Sequence, residues 1–65
     1  MIRYYVNKNS YYEVHRADCS WLPKPKNRIC LGRFGNCKPA VRKARRDYYN
    51  GANGCFFCSR ACHTT

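Results

Sequence analysis

Four side chains able to bind a soft divalent metal fall in two short-spaced pairs, His15-x3-Cys19 near one end of the chain and Cys55-x2-Cys58 near the other. Zinc takes four nitrogen or sulfur ligands in a tetrahedron, commonly as two such pairs from separate parts of a chain. Cys-x2-Cys is the usual spacing of a metal-binding turn, and Gly54 lets the backbone bend tightly toward an ion. Bringing the pairs together closes the long segment between Cys19 and Cys55, and that closure is where an ion would stabilise folding most. The tail offers two alternates, Cys62 and His63. Cys55, Cys58, Cys62 and His63 hold enough donors for a local site, and Cys62 could replace one ligand of the split set. An iron–sulfur cluster on the tail cysteines needs a fourth thiolate. Cys58-x3-Cys62-His63 departs from the Cys-x2-Cys-His spacing of haem attachment. Cys30 and Cys37 read as small buried hydrophobes, with a Cys30–Cys37 disulfide only in an oxidising setting.

A cross-link of some kind is needed. The chain has 65 residues, room for one domain spanning 1–65, and a domain this short buries only about 60% of the surface its unfolded form exposes. Six cysteines place it in the class that relies on disulfides or metals. The Met1-Ile2-Arg3-Tyr4-Tyr5 start carries no apolar signal region, and no apolar run approaches the roughly 20 residues of a membrane span. A reducing cytoplasm is therefore the expectation, and it favours metal over three disulfides.

The elements that must position these ligands can be read from periodicity. Residues 2–6 and 11–15 are rich in Tyr and Val, and Asn7-Lys8-Asn9-Ser10 between them predicts a β-hairpin with His15 at the end of its second strand. Pro23 and Pro25 predict an irregular segment over 16–27, plugged by a buried Trp21-Leu22. Residues 28–31 form a third strand, ended by Gly32. A helix runs from Cys37 to Tyr49, capped by Asn36, with Pro39 in its first turn and Asn50-Gly51 as its stop. Cys37, Val41, Ala44 and Tyr48 make its apolar stripe. Asn53-Gly54 reads as a turn into the Cys55-x2-Cys58 knuckle. The fold expected is a small α+β zinc-stabilised domain: a β-hairpin plus a third strand, one helix, and the C-terminal knuckle.

Taken together, Asn7-Lys8-Asn9-Ser10, His15-Arg16-x-x-Cys19, Trp21-Leu22, Asn27-Arg28 and Gly54-Cys55-x-x-Cys58 resemble the Ada-type metal-binding domain, the zinc domain of bacterial methylphosphotriester-repair proteins. The blocks are ordered over residues 4–58, with a longer helix and exit loop than the family pattern. The nearer resemblance is to small bacterial Ada-like modules whose ligand set begins with histidine, and the Cys62-His63-Thr64 tail is similar to short bacterial proteins ending in Cys-His-Thr. In the repair proteins the first ligand is a cysteine that accepts a methyl group from DNA. Zinc-bound thiolate is the nucleophile, and the matching position here is His15. The resemblance therefore implies one structural zinc on His15, Cys19, Cys55 and Cys58 and no methyl transfer.

Thirteen Lys and Arg against three acidic residues give a net charge of +10, which favours polyanionic partners. The helix concentrates Lys38, Arg42, Lys43, Arg45 and Arg46 away from its apolar stripe, the best candidate nucleic-acid contact, and exposed tyrosines could stack on unpaired bases. No base-reading motif is present, so binding would be salt-sensitive and weakly sequence-specific. The alternative is an accessory subunit with an acidic protein partner. There is no Ser-His-Asp set, no paired carboxylates and no phosphate-cradling glycine loop, so a non-enzyme is expected.

Overall fold

The computed structural model describes residues 1–64; residue 65, the last of the span read as one domain, lies outside them. Its frame is a four-stranded mixed sheet in the order β3-β1-β2-β4, with one helix packed against it. Strand β1 (Ile2–Asn7) is central. It pairs antiparallel with β2 (Glu13–Arg16) through Tyr4↔Arg16, Tyr5↔His15 and Val6↔Val14. The hairpin expected from sequence is present, but its connection is longer, running over residues 8–12, so that the second strand starts at Glu13 rather than Tyr11. Tyr11 and Tyr12 carry φ of 71° and 46°, a left-handed conformation that costs L-residues about 1–2 kcal/mol each. Tyr12 gains a parallel ring stack on Tyr49, with centroids 4.1 Å apart.

Strand β3 (Arg28–Phe34) pairs with the other edge of β1 and runs through Gly32 rather than ending there. Tyr4 faces Gly32 while Tyr5 faces Cys30, so Leu31 is a bulged residue, and the φ of +109° at Gly32 absorbs the extra length. Leu31 is thereby buried in the core, whereas Cys30 is exposed, contrary to its expected burial. The Pro25 segment is also more regular than expected: Pro25–Asn27 forms a single 3-10 turn with proline at its start.

Helix α1 (Cys37–Asp47) begins as predicted, with the Asn36 side chain accepting a 2.9 Å hydrogen bond from the Lys38 amide. It buries Cys37, Ala40, Val41 and Ala44, the i, i+3, i+4, i+7 face of a helix. The helix stops at Asp47, before the expected Tyr49. Both Tyr48 and Tyr49 amides donate to the Ala44 carbonyl, Tyr49 drops onto Tyr12, and Tyr48 ends exposed rather than in the stripe. The chain must turn there because Ala52 is buried and Asn53–Gly54 (β4) pairs in parallel with Glu13–Val14. That short strand replaces the turn expected at Asn53-Gly54.

The core comprises Tyr4, Val6, Val14 and Leu31 from the sheet, Cys37, Ala40, Val41 and Ala44 from the helix, and Ala52 and Cys62 from the tail. It is small and rich in alanine, so little burial energy is available from it. A Cys37–Cys62 disulfide adds to it, joining the start of α1 to a 3-10 turn at Arg60–Cys62. Cys37 is buried as expected, but its partner is Cys62 and not Cys30. Among the described residues no helix is long and apolar enough to cross a membrane.

Candidate metal centre

Val14 lies against the helix-side core, so alternation along β2 turns His15 to the opposite face of the sheet. A reverse turn follows, in which the Cys19 amide donates to the Arg16 carbonyl and brings the thiol back toward His15. The second pair arrives through β4. The Cys55 amide donates to the Val14 carbonyl, extending the ladder by one bond, and the Ser59 amide closes the knuckle on the Cys55 carbonyl. The Arg16 amide, on β2, points at Cys58 Sγ, 3.3 Å away. The two ligand segments are thus hydrogen-bonded to each other through backbone.

The result is a cluster of His15, Cys19, Cys55 and Cys58 whose ligand atoms all lie within 4.8 Å of one another. Cys19 and Cys55 Sγ are 4.0 Å apart, twice a disulfide bond length and near the roughly 3.8 Å edge of a tetrahedron with zinc–sulfur bonds of about 2.3 Å. His15 is 1% exposed, and neither ring nitrogen has a hydrogen-bond partner. The nearest carboxylate, Glu13, stands 3.9 Å from Nε2, beyond hydrogen-bonding range. An orphaned imidazole is costly in so buried a place, and a metal ion would satisfy one of its nitrogens. The donor set fits a metal.

Electrostatics point the same way. Burial lowers the pKa of His15, against a smaller opposing pull from Glu13, and so keeps the imidazole in the neutral form a metal requires. Burial pushes the Cys19 thiol up to about 12 and raises Cys55, with the neighbouring thiols adding to the effect. Without a cation, then, the cluster resists becoming thiolate. Backbone amides offset this in part: Trp21 donates to Cys19 Sγ at 3.4 Å, and Phe57 and Cys58 amides favour the Cys55 thiolate. A divalent ion would supply the missing charge and remove the protons.

The alternates lie elsewhere. Cys62 is bridged to Cys37, and His63 Nδ1 is 3.0 Å from the Gly54 carbonyl oxygen. Of the helix cations, Lys38, Arg42, Arg45 and Arg46 are exposed and Lys43 is half-buried. Arg46 is paired with Asp47, and Arg45 Nε donates to the Ala52 carbonyl at 2.7 Å. Lys38, Arg42 and Arg45 line a cleft of about 300 Å³ between α1 and the tail, floored by Val41, Ala61 and Cys62.

Trp21 does not plug the loop: it is 62% exposed and stacks on Phe57 beside the cluster. Of the tyrosine pairs expected to offer exposed members, Tyr4 lies in the core, Tyr12 stacks on Tyr49 and Tyr5 sits beneath the Arg28 guanidinium, while Tyr11 and Tyr48 are exposed. The exposed aromatics Trp21, Phe56 and Phe57 are the surface feature that sequence reading missed. Their signal was the placing of both phenylalanines inside Cys-x2-Cys, where side chains between the ligands turn outward. Compared with family models, curated proteins and solved structures, the chain matches none.

Proposed function

We propose that this chain is a non-catalytic module organised by one structural zinc, which binds nucleic acid through its basic helix and adjoining loops. The observation that carries the metal reading is the buried His15, with both ring nitrogens unpartnered, inside a cluster of three sulfurs. Three sulfurs and one imidazole suit zinc better than harder cations, and a full set of four protein ligands leaves no position for a reacting group. Methyl acceptance of the Ada type would need sulfur at the first ligand, and position 15 is a buried histidine. The nucleic-acid reading rests on the net charge of +10 and on the cleft lined by Lys38, Arg42 and Arg45.

Native mass spectrometry with metal analysis tests the first part. Wild type is expected to carry one zinc, lost in His15→Ala and retained in Cys62→Ala; metal-free wild type would overturn it. A salt series of gel shifts tests the second. Binding should weaken steeply with salt, and Arg42→Ala with Arg45→Ala should flatten the slope by roughly one unit per phosphate contact removed. No binding at low salt would remove the nucleic-acid reading and leave the accessory-subunit alternative.

A further inference from the structure

Trp21 and Phe57 are 62% and 66% exposed, and Phe56 beside them is 43% exposed. They are not scattered. Trp21 and Phe57 stack with centroids 5.3 Å apart at 27°, and Phe56 meets Phe57 edge-on at 5.4 Å. The row is also attached to the cluster, because its rings are carried on the two backbone segments that wrap the metal ligands. The Trp21 amide bonds the Cys19 sulfur, and Phe57 lies between Cys55 and Cys58. A small domain with an apolar core this slight gains nothing from leaving three large rings in water, unless a partner covers them.

Charge around the row indicates the partner. At one end Arg16 shares a surface cleft with Trp21 and Phe57, together with Asp18, which pairs with that arginine at 3.3 Å. At the other end the Arg60 guanidinium sits 4.9 Å over the Phe56 ring. Arg60 opens the terminal turn, whose next residues, Ala61 and Cys62, floor the cleft of Lys38, Arg42 and Arg45. The rings and the helix cations are therefore joined through one short element. Rings beside phosphate-binding cations are the composition of a single-strand binding surface, because only unpaired bases offer their faces for stacking.

We propose that Trp21, Phe57 and Phe56 form a base-stacking platform for single-stranded nucleic acid, with the phosphates of the same strand on Arg60 and the cations of α1. This rests on the nucleic-acid reading above and specifies its ligand. Trp21 is the only tryptophan of the chain, so its emission reports directly on the platform. The test titrates zinc-loaded protein with oligothymidylate, an abasic oligomer of equal length and charge, a duplex, and vesicles of phosphatidylcholine with phosphatidylserine. Oligothymidylate should quench Trp21 and bind on the order of tenfold more tightly than the abasic oligomer. Trp21→Ala and Phe57→Ala, followed by anisotropy of a labelled oligomer, should remove that preference and leave abasic binding unchanged. Equal affinity of wild type for the thymidylate and abasic oligomers would overturn the platform while leaving the nucleic-acid reading intact, and this comparison needs no variant to fold. A Trp21 response to vesicles alone would assign the rings to a lipid surface and overturn the proposal. Binding of no polynucleotide would overturn both readings.

Discussion

Replacing Gly54 with alanine should destabilise this domain more than any other conservative change near the metal cluster. A Cβ at position 54 would lie 2.7 Å from the Cys62 Cβ, 2.7 Å from the Ser59 carbonyl oxygen and 2.8 Å from the Cys62 carbonyl carbon. Carbon atoms in contact normally stand about 3.5–4.0 Å apart, and none of these neighbours is the free end of a flexible side chain. Cys62 is fixed by its disulfide, and the Ser59 carbonyl accepts the Cys62 amide at 2.9 Å. Gly54 itself is fixed by its pairing with Val14. Relief must come from backbone movement in β4 or the tail. Overpacking of this kind costs about 1–3 kcal/mol, here toward the upper end, and the lost freedom of the unfolded chain returns about 0.4–1 kcal/mol. The net is about 2 kcal/mol, a Tm decrease of roughly 8–16 °C for a domain of this size. Gly51→Ala is the control, since a Cβ there meets nothing within 4 Å. Circular-dichroism melts of the zinc-loaded proteins should place Gly54→Ala well below wild type and Gly51→Ala at or slightly above it. Competition with a chromophoric chelator should also show weaker zinc binding in Gly54→Ala, because Cys55 is the next residue. Equal melting of the two variants would refute the reasoning.

In the metal-free domain, burial lowers the pKa of His15 below its ordinary 6.5 and raises those of Cys19, to about 12, and Cys55 above 9.0. The histidine contribution is then complete above pH 6.5 and lost as pH falls, while the thiol contribution is complete below about pH 9 and lost as pH rises toward 12. Urea midpoints across pH with chelator present should show this plateau, and zinc should abolish the alkaline fall, since its thiolates are already deprotonated; a flat alkaline limb without metal would contradict it. Reducing Cys37–Cys62, whose partners are 25 residues apart, should cost about 3 kcal/mol and leave the zinc stoichiometry unchanged by mass spectrometry. Loss of zinc on reduction would instead show that the metal cluster depends on the bridge to stay folded.

What the sequence disclosed, and what it did not, divides by the range of the interactions involved. The hairpin, the Asn36 cap and the start of α1 depend on neighbours a few residues apart, and each was legible. The convergence of His15, Cys19, Cys55 and Cys58 was also legible, because each pair has its own short spacing. Gly32 misled because glycine serves equally as a terminator and as a bulge position, and only the partner strand decides between them. Tyr48 misled because its periodicity was right, but the helix is drawn down early by the Tyr12–Tyr49 stack. β4 is two residues long and owes its existence to β2, so no local pattern could announce it. The Cys37–Cys62 bridge had the same obstacle: six cysteines offer many pairings, and proximity of α1 to the tail is a tertiary fact. Trp21 was assigned to the interior on size alone, a rule that fails where aromatic residues serve a surface.

The candidate metal cluster and the disulfide converge on the segment with least to hold it. From Asn53 to His63 the chain contributes a two-residue strand, one knuckle and one 3-10 turn, and the apolar side chains of Phe56 and Phe57 face water. Such a segment could not order itself by burial, since the conformational entropy of about 1–2 kcal/mol per residue exceeds what its buried groups return. It is ordered from outside, through Cys55 and Cys58 at one end and Cys62 at the other, with Gly54 admitting the close approach between them. The helix is different: it has its own cap and its own buried stripe. The cations of α1 are therefore presented by packing, whereas Phe56, Phe57 and Arg60 are presented by the metal cluster and the disulfide. On the proposed reading, a metal held by the cluster would decide function without itself reacting, because it would fix the half of the proposed binding surface that distinguishes bases from bare phosphate.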